Sequence, residues 1–104
     1  INIKSIAHIT GGGLVDNVPR VIPGEFSVEI DTASWKKIPI FNFLQNNLDI
    51  DTKDLYQTFN MGIGLVLIVD ESKKEKLISF IGRNSCNSIG VVINDKDNMV
   101  HLYG

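Results

Sequence analysis

The pattern of hydrophobic and polar residues predicts a chain in which strands and helices alternate. Residues 3–10 and 26–31 alternate with a period of two, which is typical of half-buried strands. Residues 63–69 are apolar at nearly every position, which favours a central strand covered on both faces.

The C-terminal segment has the pattern of two further strands. Residues 88–94 alternate, and the inward positions are predicted to be Ile89, Val91 and Ile93. A polar turn follows at 95–98, and the chain then returns at 99–103. This spacing predicts a hairpin in which the last two strands pair with each other.

Helix signals lie between the strands. A short helix is predicted from Leu14 to Val18 and is limited by Pro19. A second begins at Pro39, which suits the first turn of a helix, and a third is capped by Asp51 or Thr52. The capping box at residues 72–75 predicts a fourth helix that buries one side and ends near Gly82. The apolar residues on that side are Leu77, Ile78 and Ile81.

These elements predict an α+β fold with a mixed β-sheet and helices packed on one face. The 104 residues are enough for one small domain, so residues 1–104 are expected to form a single unit. The chain opens directly into a strand pattern without an initiator Met, which suggests a fragment of a longer protein.

Composition narrows the classes of partner. The formal net charge is −2 and only two residues are arginine, so no clustered basic patch is available for nucleic acid or for an anionic membrane surface. The longest aliphatic run, 63–69, is far shorter than the roughly 20 residues of a spanning helix. A single cysteine, Cys86, excludes an internal disulfide and a cysteine zinc site, and a cytoplasmic location is expected.

The first candidate for chemistry is a glycine loop between a strand and a helix. Gly11, Gly12 and Gly13 follow His8 and Thr10. Glycines allow positive φ and the close approach of a ligand, and the first N–H groups of a helix are free to bind an anion. No lysine follows, so the segment is not a Lys-bearing phosphate loop. A phosphate cradle and a tight turn that needs small residues both fit.

The second candidate precedes the apolar run. Asn60, Gly62 and Gly64 lie within Phe59–Gly64. Asn60 has the groups to donate to or accept from a ligand. The alternative, which the residues alone favour, is that the glycines relieve crowding where the strand begins.

Three blocks in order resemble one enzyme family. Residues 7–14 (Ala-His-Ile-Thr-Gly-Gly-Gly-Leu), 17–20 (Asn-Val-Pro-Arg) and 59–64 (Phe-Asn-Met-Gly-Ile-Gly) are similar to phosphoribosylformylglycinamidine cyclo-ligase, also called aminoimidazole ribonucleotide synthetase. The resemblance spans nearly all of the chain. More distant relatives of the same superfamily are selenophosphate synthetase, thiamine-monophosphate kinase and formylglycinamidine ribonucleotide synthetase.

The resemblance implies a ligase of purine biosynthesis. In that reaction formylglycinamidine ribonucleotide and ATP give aminoimidazole ribonucleotide, ADP and phosphate. The family's N-terminal domain carries the segments for ATP and Mg²⁺, and it is absent from these 104 residues. This chain therefore looks like the C-terminal, substrate-side domain, inactive alone, whose partners are the substrate, ATP, the N-terminal domain and, at full length, a second copy in a homodimer. No metal ligand is expected within the chain.

The resemblance also implies site residues at the matching positions. His8 is the candidate catalytic residue, although a histidine satisfied within the fold fits equally well. The candidate substrate-binding residues are Thr10, Gly11, Gly12, Gly13, Asn17, Arg20, Asn60, Gly62 and Gly64. Thr10 is suited to a phosphate contact or a helix cap, and Arg20 to a bidentate phosphate contact or a local carboxylate. Two alternative functions stay open: another enzyme of the superfamily, of the selenophosphate synthetase or thiamine-monophosphate kinase type, and a non-catalytic interaction module.

Overall fold

A computed structural model describes residues 2–104. Strands and helices alternate along the chain, as the sequence pattern predicts. The strands are β1 (Ile3–His8), β2 (Phe26–Asp31), β3 (Leu65–Val69), β4 (Gly90–Asn94) and β5 (Val100–Tyr103). The helices are α1 (Gly13–Asn17), α2 (Pro39–Asn47), α3 (Thr52–Thr58) and α4 (Lys74–Ile81), with short 3₁₀ turns at Pro19–Val21 and Glu71–Lys73.

A mixed three-stranded sheet confirms the predicted fold class. Its strand order is β4-β2-β5, with β2 antiparallel to β4 and parallel to β5. The predicted hairpin between the last two strands is wrong, because β2 lies between them. The turn that connects β4 to β5 is held against the start of β2. There the Ser27 hydroxyl donates to the carbonyl of Asp95 at 3.0 Å and accepts from the N–H of Met99 at 3.1 Å.

A separate two-stranded ladder joins the beginning and the middle of the chain. β1 and β3 are antiparallel, and His8 lies opposite Leu65. The prediction of a central, doubly covered strand at 63–69 is wrong: within residues 2–104, β3 pairs only with β1, and Leu65 is 55% exposed. An apolar run identifies a strand, but the number of neighbours it has depends on tertiary packing.

The core lies beneath α1 and α3. Trp35 is its aromatic anchor: the indole N–H donates to the carbonyl of Met61 at 3.0 Å. The ring meets Tyr56 edge-on, with centroids 6.2 Å apart. Burying a large side chain of this kind contributes about 2–3 kcal/mol. The most deeply buried side chains are those of Leu14, Val18, Ser27, Ile30, Leu55, Tyr56 and Met61.

α4 forms where the sequence predicts it, but it starts differently. The capping box at 72–75 is absent, because the Asp70 carboxylate accepts from the N–H and the hydroxyl of Ser72 at 3.0 and 2.7 Å. This contact caps the 3₁₀ turn at 71–73, and α4 begins only at Lys74. Gly82 ends the helix at φ +108°, as predicted.

Several predicted inward positions face outward. Ile81 of α4 and Val91 of β4 are exposed, Val91 at 55%, so their predicted burial is wrong. α2 begins at Pro39 as predicted, yet none of its residues is buried. In each case the spacing of apolar residues identifies an apolar face, but that face is buried only if another element covers it.

Candidate functional site

The two glycine-rich segments lie side by side. The N–H of Ile9 donates to the carbonyl of Gly64 at 3.0 Å, just beyond the end of the β1–β3 ladder. β1 therefore runs into the glycine loop at the same edge where residues 59–64 enter β3. The structure thus brings together two segments that are about 50 positions apart in sequence.

The glycine loop is built from two left-handed residues and one ordinary residue. Gly12 and Gly13 have φ of +97° and +61°. A Cβ on Gly13 would overlap the carbonyl oxygen of Tyr56 and lie 2.7 Å from that of Phe59, so the loop packs directly on the end of α3. A methyl group on Gly11, by contrast, would have no heavy atom within 4 Å. Gly11 therefore faces open space, and Gly13 faces the core.

Asn17 holds the loop from beneath. The residue is only 6% exposed, and its amide nitrogen lies 3.2, 3.3 and 2.9 Å from the carbonyl oxygens of Thr10, Gly11 and Gly13. The Thr10 hydroxyl donates to the amide oxygen of Asn17 at 3.3 Å. The Asn17 amide nitrogen and the Thr10 hydroxyl, two predicted binding groups, are thus used inside the loop itself.

Asn60 and Gly62 form a tight turn. The Asn60 side-chain oxygen accepts from the N–H of Gly62 at 2.8 Å, and the intervening Met61 has φ +53° with its side chain fully buried. The indole of Trp35 holds the carbonyl of Met61 from the other side. The structure gives the Asn60 oxygen a turn-forming role. The prediction that the glycines relieve crowding is wrong, because an added Cβ would meet nothing closer than 3.8 Å at Gly62 and nothing within 4 Å at Gly64.

His8 and Arg20 flank the loop in sequence and are both exposed. His8 is the last residue of β1, one step before the buried Ile9. Arg20 lies in the 3₁₀ turn after α1, which the Ser5 hydroxyl ties to β1 by donating to the carbonyl of Val21 at 2.6 Å. Among residues 2–104, no carboxylate forms a salt bridge with Arg20, so the predicted local pairing is not observed there.

A polar cluster near the C-terminus is a feature that the sequence pattern does not predict. His101 Nε2 lies 2.6 Å from a carboxylate oxygen of Asp95, and the other oxygen of Asp95 accepts from the N–H of Asp97 at 3.2 Å. The hydrogen bond with His101 is the main cause that lowers the pKa of Asp95, and that from Asp97 adds to it. The sequence signal is only a polar turn followed by a histidine six positions after Asp95.

The cluster of Asp95, Asp97 and His101 also has the residue types that bind a divalent metal ion. The side chains of Asp95 and His101 hydrogen-bond to each other, whereas Asp97 contributes its backbone N–H to Asp95. Nothing comparable lies at the glycine loop: in residues 2–104 no other group of three such side chains converges.

Beside the Phe59–Gly64 segment lies a broad groove with a volume of about 1260 Å³. It runs between the ladder, the mixed sheet and α4. Gly62 and Gly64 line the end of the groove that is next to the Phe59–Gly64 segment. Most of its wall is apolar, and it includes Val28, Ile30, Val66, Leu77 and Ile78.

Fold and loop together define a small α+β domain whose glycine-rich loop and Asn-Met-Gly turn meet at one edge. The chain belongs to the family described as AIR synthase related protein, C-terminal domain, whose model matches residues 1–102. This match confirms the resemblance that the three sequence blocks carry.

Curated relatives agree with the family. A protein named phosphoribosylformylglycinamidine cyclo-ligase from Nitrosococcus oceani is 48% identical over 81 residues, which are 78% of this chain and 23% of that protein. Proteins of the same name from Ligilactobacillus salivarius and Staphylococcus epidermidis are 41% and 39% identical over 98% of the chain, or 26% and 30% of their own lengths. The chain thus spans less than a third of the relatives it matches.

The helices of residues 2–104 include none with the length and apolar character needed to cross a membrane.

Proposed function

We propose that this chain is the C-terminal, substrate-side domain of a phosphoribosylformylglycinamidine cyclo-ligase. The observation that carries the proposal is the meeting of the glycine loop and the Phe59–Gly64 turn at one edge, in a chain whose relatives bear that name. The reaction uses ATP to phosphorylate the amide oxygen of formylglycinamidine ribonucleotide. An internal nitrogen then attacks the same carbon, the C–O bond breaks, and aminoimidazole ribonucleotide, ADP and phosphate result.

The domain's part in this reaction is to bind and orient the ribonucleotide. A 5′-phosphate suits a loop of backbone N–H groups, because these donors are fixed before the ligand arrives. Gly11 and Gly12 provide the backbone N–H groups, Gly11 has open space beside it, and Arg20 is an exposed guanidinium in the turn that follows α1. His8 is the candidate for direct contact with the reacting end, since it is exposed at the end of β1.

ATP and Mg²⁺ do not fit the residues of this domain. The glycine loop has no following lysine, and in the cluster of Asp95, Asp97 and His101 both oxygens of the Asp95 carboxylate are already engaged, by His101 and by the N–H of Asp97. We therefore assign the nucleotide and its metal to the preceding domain of the full-length protein, and we expect the 104-residue chain alone to give no turnover. The exposed apolar side chains of α4 and β4 favour a covering partner, either that domain or a second copy.

The test is Gly11→Ala in the full-length cyclo-ligase that contains this domain. Gly11 has ordinary backbone angles and open space around it, so the methyl group should leave the fold unchanged and obstruct only a ligand. We expect the KM for formylglycinamidine ribonucleotide to rise about tenfold, since a one-carbon steric clash costs about 1–3 kcal/mol. Gly12 is unsuitable, because φ +97° and the Asp16 side chain exclude any Cβ there.

Gly24→Ala is the matched control. It is another exposed glycine with nothing within 4 Å of the added methyl, and it lies outside the loop. Both variants should melt at the wild-type temperature. If the KM is unchanged in Gly11→Ala and also in the Gly24→Ala control, the substrate does not bind at this loop and the proposal is wrong.

A further inference from the structure

Three peptide groups of the glycine loop are turned the same way by one side chain. The amide nitrogen of Asn17 faces the carbonyl oxygens of Thr10, Gly11 and Gly13 at 2.9–3.3 Å. The orientation of the amide is determined by these contacts, because the reverse orientation would place its oxygen against three carbonyl oxygens. Asn17 is buried, and its contact with the Gly13 carbonyl is fully shielded from water, whereas the contacts with Thr10 and Gly11 are partly buried.

A planar trans peptide places its N–H opposite its C=O. No peptide bond in residues 2–104 is cis. The carbonyls of residues 10, 11 and 13 point toward Asn17, so the N–H groups of Gly11, Gly12 and Leu14 point away from it. None of these three N–H groups meets an acceptor in the described part of the chain, whereas the N–H of Gly13 donates to the carbonyl of Thr10.

These donors differ in their access to solvent. Gly11 is exposed and Gly12 is half-buried, whereas Leu14 is fully buried. A methyl at Gly11 would meet nothing within 4 Å, whereas the Asp16 side chain lies against Gly12. The donors belong to the loop, and their direction depends on Asn17 and not on the dipole of α1, which has only five residues.

We infer that Asn17 is a positioning residue that presets the N–H groups of Gly11 and Gly12 as donors to a phosphate of the substrate. This inference rests on the proposed function and changes the role of Asn17 within it. Asn17 does not touch the ligand, because its amide N–H groups are engaged by loop carbonyls. Its contribution is to hold the loop in the binding conformation before the ligand arrives, so that binding requires no reorientation of the peptides.

The experiment uses the full-length protein and compares Asn17 variants with wild type, each with a ligand that carries the phosphate and one that lacks it. Calorimetry measures the Kd of formylglycinamidine ribonucleotide and of its dephosphorylated riboside for wild type, Asn17→Ala and Asn17→Ser. We expect Asn17→Ala to raise the Kd of the ribonucleotide by about tenfold or more, since hydrogen bonds to a charged group are involved. The same substitution should leave the riboside Kd nearly unchanged. Gln57→Ala is the control, because it removes the 3.1 Å bond from Gln57 to Asp16 of α1 without touching the loop carbonyls.

The outcomes separate the two proposals. If wild type binds the ribonucleotide and the riboside equally, no phosphate is recognised and the proposed function of the loop fails. If wild type prefers the ribonucleotide but Asn17→Ala weakens both ligands alike, Asn17 is merely structural and the inference is overturned.

A measurement on wild type covers the case in which the Asn17 variants do not fold. Protein labelled with ¹⁵N-glycine is titrated with inorganic phosphate, and the Gly11 resonance is assigned by its loss in Gly11→Ala. The resonances of Gly11 and Gly12 should move at saturating phosphate, while that of Gly82 should not. Phosphate that competes with the ribonucleotide but leaves the Gly11 and Gly12 resonances in place would overturn the inference.

Discussion

The glycine-loop region, residues 7–18 with 55–61, and the region formed by α4 and β4 are both rich in apolar side chains, yet they bury them differently. In the first region Leu14, Tyr56 and Met61 are at most 1% exposed. In the second, Leu77 and Ile78 are buried, but Phe80 is 85% exposed and the neighbouring strand exposes Val91. The candidate binding loop thus packs on the core through Gly13, whereas the α4 region has an uncovered apolar surface within the described residues.

The difference matters for binding. A loop that is packed on α3 and held by Asn17 has little freedom to change shape, so its donors stay in place without a ligand. The α4 region has no such constraint. Its exposed aromatic and aliphatic groups are instead suited to a contact between domains.

The strongest test of this difference adds one methyl group to a left-handed glycine in each region. Gly13→Ala would drive a Cβ into the carbonyl of Tyr56, which as backbone cannot move aside. Gly82→Ala, at φ +108°, meets nothing within 4 Å and carries only backbone strain. We expect Gly13→Ala to lower the free energy of unfolding by about 4 kcal/mol or more, and Gly82→Ala by about 1 kcal/mol.

Urea denaturation of both variants measures these values. Similar losses at the two positions would contradict the difference between the regions, because they would show that φ alone determines the cost and that packing against α3 adds nothing.

A smaller effect is expected from truncating one apolar side chain in each region. Leu14→Ala should lower the free energy of unfolding by about 3 kcal/mol, since it leaves a cavity beneath the loop. Phe80→Ala should change it by less than about 0.5 kcal/mol in the isolated chain, because the ring is exposed. In the full-length protein, a larger loss for Phe80→Ala would show that α4 is covered there, either by another domain or by a second copy.

The midpoint and slope of chemical unfolding give both numbers. A loss above about 2 kcal/mol for Phe80→Ala in the 104-residue chain would contradict the exposed position of that ring.

The weakest effect is a pH dependence at the C-terminal cluster, which lies outside both regions. The hydrogen bond with His101, with help from the N–H of Asp97, holds the pKa of Asp95 below its usual value. A carboxyl whose pKa is lowered in the folded state contributes stability above its unfolded value, near about 4, and this contribution is lost as pH falls through the folded pKa. Asp95→Asn should therefore be less stable than wild type near neutral pH, and the gap should narrow below about pH 4.

Thermal melting across that range measures the gap. Asp49→Asn, which changes an exposed carboxylate between α2 and α3, is the control for net charge. A gap between wild type and Asp95→Asn that stays constant from neutral to acid pH would show that Asp95 contributes through shape and not through charge.

Local elements and family membership could be predicted from the amino-acid sequence alone. The alternation at 26–31, Pro39 at the start of α2 and Gly82 at the end of α4 act over a few residues, so a single chain segment contains the whole signal. The candidate loop was also visible as three consecutive glycines between a strand and a helix, but the residues alone fit both a phosphate cradle and a tight turn. Asp95 and His101 carried no such signal, since their pairing depends on a turn that Ser27 of β2 holds in place.

Strand pairing, the covering of apolar faces and the role of each loop residue depended on tertiary contacts. The apolar run 63–69 would look the same in a central strand and in a two-stranded ladder. The pattern of apolar residues identifies a strand, but it does not show how many strands pair with it. The side chain of Asn17 could serve either as a contact to a ligand or as a hydrogen-bonding support for the loop, and its identity does not distinguish the two. Its role followed from the direction of three carbonyl groups, a property of the folded backbone that residue identity does not encode.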